Sequence, residues 1–475
     1  MRLGLWLTCL FVIATFLRPQ ELFLELAPYN LMDILGGLAL AATLLDILAG
    51  ARPRLWQVPV VLLVAFVFWA AVSVVASLRW PGGAALAFQS LSINMFVFAL
   101  TVLHGSELTR QRAIRGAAIV ALLLTVGLGL RAYYLGPRFK EFVLVDRAEG
   151  VSSETGEPRS GSDLIGRLTG RRSAEPAPGR ENDDASPEAD EAGGPPPAQW
   201  VRRLRALGFL NDPNDLAQTL VAALPLVMLA WRPGRPFVGL LFAIAPAALM
   251  VWAILLTRSR GGLVALAVLA YLTLIRRLGP RWVRGLQIAG VVGLLAGLVV
   301  FFRLGADDSA LGRLEAWSMG LQMLRQSPIW GVGYSNFLDH HDIVAHNSFV
   351  HCFAELGVVG YFLWLAALVS TFWLLQAVGS PGGDGPRTDE LVRLAVALRL
   401  SLASYLAGAL FLSRSYSVSL FFLLGLSAAV VSVARRFTAP LDRRFAIPVP
   451  RLTAVTGALV VASIVTTYLI VRISR

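Results

Sequence analysis

Long apolar runs separated by short polar turns occupy most of the chain. A helix that crosses a bilayer needs about 20 mostly apolar residues, and most of the runs approach or exceed that length. The first run follows Arg2 like a signal peptide, but no small-residue cleavage site follows it, so we expect a retained helix. The runs predict about 12 to 13 spanning helices, near residues 3–17, 31–49, 58–78, 84–103, 116–135, 215–230, 237–256, 261–275, 286–302, 348–375, 394–412, 418–433 and 452–471.

Composition agrees with a membrane protein. Of 475 residues, 56% are hydrophobic and 15% are charged, which excludes an ordinary soluble domain. The net charge is +12, but the arginines lie in small groups between apolar runs and form no aromatic-interleaved patch. We therefore expect membrane lipids as partners and no nucleic acid. The predicted fold class is an all-α polytopic integral membrane protein.

The arginine groups also predict the topology, because basic residues resist translocation. With a cytoplasmic N-terminus, segments 136–213 and 303–347 face the exterior. Arg472 and Arg475 oppose a thirteen-helix count, and twelve or fourteen helices would remove that conflict. The predicted inside loops hold Arg52, Arg54, Arg110, Arg112, Arg115, Arg232, Arg235, Arg276, Arg277, Arg281, Arg284, Arg435, Arg436, Arg443 and Arg444.

The two exterior segments differ in composition. Residues 150–197 are rich in Gly, Pro, Ser, Glu and Arg and lack the apolar spacing that builds a core, which predicts a disordered insertion without chemistry. The second segment has helical spacing of apolar residues, typical of a helix lying at the membrane surface. Its apolar positions are Leu311, Leu314, Trp317, Leu321 and Leu324.

Four of the five histidines fall within twelve residues, at His340, His341, His346 and His351. A metal site is the first chemistry that such a cluster indicates. However, no pair has H-x-x-x-H spacing, and no cysteine or carboxylate completes a tetrahedral set. We therefore expect neither a metal nor another cofactor.

Arginines supply the complementary charge. Arg258 and Arg260 lie in an exterior turn, where the charge rule disfavours basic residues. They either extend to headgroup phosphates or bind a phosphate bidentately, as in a diphosphate-linked lipid. Arg313 and Arg414 lie in neighbouring exterior segments, and we expect them to converge with Arg258 and Arg260 on one site at the exterior ends of the helices.

Several polar neighbours have two interpretations. Asn347 either orients the His346 imidazole or caps the following helix. His351 and Glu355 stand four residues apart on that helix, which favours a structural hydrogen-bonded pair. Asn211 and Asn214 border the sixth predicted span and either form a cap and turn or contact substrate.

One motif resembles a known family. His346-Asn347, nine intervening residues and then Gly357-Val358-Val359-Gly360 reproduce the H-[NSQ]-x9-G-x-x-G pattern of bacterial O-antigen ligases. The chain thus resembles the O-antigen ligase and polymerase superfamily over about residues 205–430, and we expect the two glycines to allow close helix packing. Further similar segments are Asn211-Asp212-Pro213-Asn214-Asp215-Leu216-Ala217, Arg258-Ser259-Arg260-Gly261-Gly262, and Arg313-x-x-x-Trp317 leading into Gly331-Val332-Gly333.

The resemblance implies a GT-C-like membrane glycosyltransferase. It would transfer a glycan from an undecaprenyl diphosphate carrier to an acceptor hydroxyl, with inversion and without a metal, at the periplasmic face of the bacterial inner membrane. The acceptor would be a lipid A core, a protein or another glycan, as in lipopolysaccharide or other polysaccharide biosynthesis. His346 would be the base and Arg258, Arg260 and Arg313 would bind diphosphate. The possible supporting residues are Asn347, Arg414, Glu355, His351, Asn211 and Asn214.

Two other functions remain open. A polymerase would use the same donor and differ only in its acceptor. A transporter of a small solute or lipid-linked glycan would show broken helices and ionisable residues near the midplane. The predicted organisation is helices in 1–135, an exterior loop in 136–213, a catalytic core in 205–430 that includes loop 303–347, and a last helix in 431–475.

Overall fold

The computed structural model describes most of the chain. The predicted insertion at 150–197 and most of the predicted span at 286–302 lie outside the described residues. Contacts divide the chain into one unit of Met1–Leu144 with Arg202–Arg475 and a second unit of Val145–Val201. The described residues are 2–50, 56–78, 82–136, 142–147, 200–232, 234–276, 278, 285–286, 288–290, 293, 308–379, 386–437 and 445–474.

The described residues form an all-α membrane protein, as predicted. Ten of their helices are long and apolar enough to cross a membrane, and two apolar helices, α1 and α8, are shorter. The helices are α1 Arg2–Leu17, α2 Leu31–Leu48, α3 Val58–Leu78, α4 Gly82–His104, α5 Leu108–Leu135, α6 Pro213–Val227, α7 Pro236–Leu256, α8 Arg260–Ile275, α9 Asp308–Gln326, α10 Ser348–Val378, α11 Pro386–Gly408, α12 Val418–Phe437 and α13 Val449–Ser474.

Shorter elements connect these helices. A one-turn helix spans Pro19–Leu22, 3₁₀ turns span Leu24–Leu26, Gly208–Leu210, Met228–Ala230 and Phe337–Asp339, and a π-helical turn spans Leu240–Ile244 inside α7. The sequence did not predict the two-stranded sheet of β1, Val143–Arg147, and β2, Trp200–Leu204. Beside the strands, Phe142 and Leu204 are buried against Gly129 of α5.

The helix pairs that pack most extensively are α3 with α10, α1 with both α5 and α2, α4 with α12, and α11 with both α6 and α8. Helix α12 is central, since 94% of its span is buried. Helix α11 ends at Gly408, four residues before the predicted boundary. The chain turns there because Gly408 lies on Gln218, and the Ala409 carbonyl then accepts a hydrogen bond from Ser348 N–H at 2.8 Å.

Helix α10 is interrupted at Gly357, where φ is 64° and ψ is −170°. This left-handed φ suits glycine, and a Cβ would collide with the Ile329 carbonyl. The carbonyls freed by the break accept protein donors: Ala354 from Val332 N–H at 3.0 Å, Glu355 from Gly333 N–H at 2.8 Å, and Leu356 from the Trp69 indole at 3.0 Å. Close packing at Gly357 is confirmed, although it occurs through a broken helix.

The amphipathic helix predicted after residue 303 is α9. Its Leu314, Trp317 and Leu324 are buried, while Leu311 is about half exposed. The apolar stripe packs against α10 and α13. The helix is confirmed; its position at the membrane surface stays a prediction.

Candidate functional site

Three helices begin at one place, at the same end of the helix bundle. The first turn of α8 lies on α6, since a Cβ at Gly262 would stand 2.5 Å from the Ala217 Cβ. A Cβ at Gly261 would stand 2.9 Å from the Cβ of Phe411, in the loop of residues 409–417 between α11 and α12. The first residue of α10, Ser348, bonds to Ala409 in the same loop. Because helix N-termini carry partial positive charge, this convergence favours an anion.

His346 is held from both sides. The Trp317 indole of α9 donates to the carbonyl of Ala345 at 2.8 Å. On the other side, the Asn347 side chain caps α10 by accepting from Phe349 N–H at 2.9 Å and Val350 N–H at 3.3 Å. His346 itself is half-buried, with a left-handed φ of 45° that few non-glycine residues adopt. Asn347 thus has the capping role, one of its two predicted interpretations.

Besides its N–H bond to Ala409, Ser348 joins this segment to the 409–417 loop through three further hydrogen bonds. Its hydroxyl donates to the Leu412 carbonyl at 2.5 Å and accepts from the Arg414 N–H at 2.8 Å. Its carbonyl accepts from the Ser415 hydroxyl at 2.7 Å. The loop is therefore fixed two residues away from His346.

Within the loop, Arg414 pairs with Asp215 in the first turn of α6. Its Nε lies 2.5 Å from Oδ1, and its Nη2 contacts Oδ2, so the guanidinium edge binds the carboxylate bidentately. Asp215 is only 3% exposed. Although burial lowers the pKa of Arg414, the Asp215 carboxylate raises it more, so Arg414 stays charged. Arg414 was predicted from the sequence as a site residue, whereas Asp215 was not, because an acid in a helix's first turn is also explained by the helix dipole.

His346 lies in a positive environment. Its pKa is lowered to about 4, first by burial and then by the charge of Arg313, with a smaller effect of Arg414, while Asp212 opposes the shift. The imidazole is therefore neutral around pH 7, the form that accepts a proton. Arg313 and Arg414 both act electrostatically on His346.

Arg258 lies in the turn before α8, and Arg260 is the first residue of α8. Arg258 has a left-handed φ of 52°, and both residues are exposed. Between them, Ser259 caps α8 by accepting from Gly262 N–H at 3.0 Å. The cap fixes the turn beside the first residues of α6.

A further arginine, Arg203 of β2, supports that turn. Its Nε donates to the Thr257 carbonyl at 3.0 Å, and its Nη2 donates to Asn214 Oδ1 at 3.4 Å. Arg203 was not predicted from the sequence, since nothing in the sequence distinguishes it from the neighbouring arginines of the same segment. Asp212 is the α6 cap, accepting from Asn214 N–H at 2.6 Å, while Asn211 is exposed and lies outside the cap.

His351 and Glu355 form the predicted pair. Nε2 of His351 lies 3.3 Å from Oε1 of Glu355, and both side chains are buried. The His351 ring stacks on Phe337 at 5.4 Å, and Glu355 accepts from Phe337 N–H at 3.3 Å. The pair therefore anchors the start of the histidine-bearing loop to α10.

The other two histidines of the cluster bond to local backbone. Nδ1 of His340 lies 3.0 Å from the Asn336 carbonyl, and Nδ1 of His341 lies 3.0 Å from the Ile343 carbonyl. Across the part of the chain that the structure describes, no three His, Cys, Asp or Glu side chains come together as a metal-binding group. The four histidines therefore make separate contacts: two with local backbone, one with Glu355, and His346 beside the arginines.

Comparison with known proteins adds one finding. No curated protein matches the chain. A family model described as O-Antigen ligase matches residues 245–365, a stretch that contains Arg258, Arg260, Arg313 and His346. The match supports a function of the ligase or polymerase type in a multi-pass bacterial membrane protein. The match, which runs from α7 into α10, supports the resemblance of this part of the chain to the O-antigen ligase superfamily.

Proposed function

We propose that the protein is an inner-membrane glycosyltransferase that moves a glycan from an undecaprenyl diphosphate carrier to an acceptor hydroxyl. The observation that carries the proposal is a neutral, half-buried His346 close to Arg313 and Arg414, at the bundle end where α6, α8 and α10 begin. The family match supports the same class of reaction.

The proposed reaction is a single displacement. The acceptor oxygen attacks the anomeric carbon from the face opposite the diphosphate, the carbon–oxygen bond to the diphosphate breaks, and the configuration inverts. The acceptor hydroxyl proton passes to His346, a general base. The leaving diphosphate gains negative charge, which Arg258, Arg260 and Arg313 stabilise, so the reaction needs no metal.

The site belongs to the periplasmic face in this proposal. Arginine-rich turns lie at the opposite ends of the same helices, and basic loops remain in the cytoplasm. Undecaprenyl-linked glycan and the acceptor then meet at the outer surface. A ligase would receive a lipid A core or protein acceptor, and a polymerase would use another lipid-linked glycan on the same arginines and base.

The transporter alternative predicts broken helices, and α10 is broken at Gly357. In a transporter the freed carbonyls line a cavity and coordinate an ion. Here the freed carbonyls of Ala354, Glu355 and Leu356 accept N–H groups of the protein itself. The break therefore serves packing between α10 and the segment before His346, which supports the transferase.

Reconstituted vesicles test the proposal. Purified protein, lipid-linked glycan and an acceptor extract should yield glycan joined to a new acceptor, with no solute flux in the same vesicles. His346→Ala should lower turnover by about 10²- to 10⁴-fold with donor binding retained, as expected for loss of a general base. His341→Ala, a nearby histidine bonded to backbone, is the matched control and should retain transfer. Flux without transfer, or near-parental turnover of His346→Ala, would contradict the proposal.

A further inference from the structure

The Asp215–Arg414 pair has a geometry that a simple structural link does not require. We propose that Asp215 positions Arg414 so that the other edge of its guanidinium group binds a diphosphate oxygen of the donor. This inference rests on the proposed function, because it takes the donor to be a lipid-linked diphosphate. Neither residue lies within the segment that matches the family model.

The pair is asymmetric in exposure. The Asp215 side chain is 4% exposed, whereas the Arg414 side chain is 42% exposed. The carboxylate binds Nε and Nη2. Nη1 makes no hydrogen bond to any residue that the structure describes, so its two N–H groups remain on the outer side of the pair. One edge of the guanidinium group is fixed and the other is available to an oxyanion.

The backbone of Arg414 is fixed as well. Its N–H donates to the Ser348 hydroxyl at 2.8 Å, and its carbonyl accepts from the Tyr405 hydroxyl at 3.0 Å. With backbone and side chain both held, little rotamer entropy remains to be lost when a ligand binds. Arginine held in this way suits bidentate recognition of phosphate oxygens.

Structural alternatives explain the pair less well. Asp215 is not needed to cap α6, since Asp212 already accepts the Asn214 N–H. A buried ion pair also loses much of its Coulomb energy to desolvation, so apolar residues would join the 409–417 loop to α6 as effectively. A retained pair with an exposed cationic edge is better explained by a ligand at that edge.

Arg414 also lies close to His346. Ser348 connects the loop to the residue two places after His346. The charge of Arg414 also contributes to the lowered pKa of His346, so the two groups lie within electrostatic reach. An oxyanion bound by Nη1 would therefore lie beside the base. In this arrangement Arg414 contacts the donor, and Asp215 is a positioning residue that does not.

Binding measurements with undecaprenyl diphosphate test the inference. In purified full-length protein, Arg414→Lys should weaken binding by about 10-fold or more, because a lysine cannot keep one edge on Asp215 and offer another to phosphate. Undecaprenyl monophosphate should be affected less. Asp215→Asn should weaken diphosphate binding by about 3- to 10-fold, and the double variant should bind as Arg414→Lys does, because the two act as one unit.

A matched control exists at the opposite end of the helices. Arg112 binds Glu390 through the same two guanidinium nitrogens, with Nε to Oε1 at 2.6 Å. Arg112→Lys and Glu390→Gln should leave diphosphate binding unchanged. Additive losses in the Asp215–Arg414 double variant, equal losses for the two lipids, or unchanged binding would each overturn the inference. Absence of glycan transfer by the parent protein would instead contradict the proposed function, since that assay contains no variant.

Discussion

His346 combines a strained backbone with a perturbed titration. Its left-handed φ costs free energy that its neighbours must offset, and Trp317, Asn347 and Ser348 form hydrogen bonds that fix the chain on both sides of it. Such over-determined residues occur often at functional sites. The motif located the histidine, whereas burial and then the neighbouring charges determine its pKa.

The pH dependence of transfer follows from that pKa. A base works in its neutral form, and the free-protein pKa of about 4 keeps His346 neutral above roughly pH 5. We expect kcat/KM for the acceptor to stay level from pH 8 to about pH 5 and to fall below that. The measurement is a pH–rate profile of the vesicle reaction at a fixed donor concentration.

Arg313→Gln tests the direction in which Arg313 shifts the pKa of His346. Removing this cation removes a cause of the lowered pKa, so the His346 pKa rises towards its ordinary value of 6.5 and the acid limb moves to higher pH. The rate also falls because a proposed donor contact is lost, but the position of the limb does not depend on that loss. Arg325→Gln, an exposed arginine at the end of the same helix, should leave the profile in place. An acid limb that stays or moves to lower pH in Arg313→Gln would be inconsistent with the assignment.

Among the helices, α10 contains two motif glycines whose structural roles depend on packing with other segments. Its two motif glycines predict close approach, and Gly360 does lie against Trp69. Gly357 instead breaks the helix, and its neighbours' carbonyls accept from the segment after α9. The glycine pattern in the motif therefore marks two features. One is close contact between helices, and the other is the junction between α10 and the segment that carries His346.

Gly357→Ala should destabilise the protein. A Cβ at a left-handed φ is strained, and it would also collide with the backbone carbonyl of Ile329, which cannot move as a side chain does. We expect a loss of about 1–3 kcal/mol, seen as a lower midpoint of thermal unfolding in detergent.

The matched control is Gly127→Ala. Gly127 lies within α5 with open space where a Cβ would be, so alanine should leave the midpoint unchanged or raise it slightly through helix propensity. If Gly357→Ala unfolded at the parental temperature, the break would not require glycine.

For the whole molecule, the sidedness of the helix bundle is the property that most affects function. Three contacts join helix ends and loops at one end of the bundle: Arg414–Asp215, Arg203–Thr257 and Ser348–Leu412. In the proposed function that face is periplasmic, as the arginine bias predicts.

Single cysteines test this topology, since both native cysteines are buried. Ser309→Cys, near the start of α9, and Ser160→Cys, in the segment outside the described residues, should react with an impermeant thiol reagent in intact spheroplasts. Asp389→Cys, near the start of α11, should react only after lysis. The reverse pattern would place the site in the cytoplasm.

Much of the fold follows directly from the order of residues. Apolar runs define the helices because each run partitions into the bilayer largely on its own, and arginine groups predict their orientation for an equally local reason. The motif with His346, the cap at Asn347 and the amphipathic α9 were likewise predictable, since each depends on neighbours a few residues away. Boundaries were less predictable, as at Gly408, where contact with Gln218 in another helix sets the turn.

The remaining features depend on residues far apart in the chain. Asp215 and Arg414 are separated by 199 positions, and nothing in the sequence around either residue predicts that the two side chains pair. Arg203 differs from the neighbouring arginines through its hydrogen bond to the Thr257 carbonyl, which only the tertiary structure shows. The break at Gly357 is stabilised by donors of other segments, which bond to the carbonyls that the break leaves free. Local partition energies determine which segments cross the membrane, whereas side-chain pairing and backbone satisfaction between segments depend on how the helices pack.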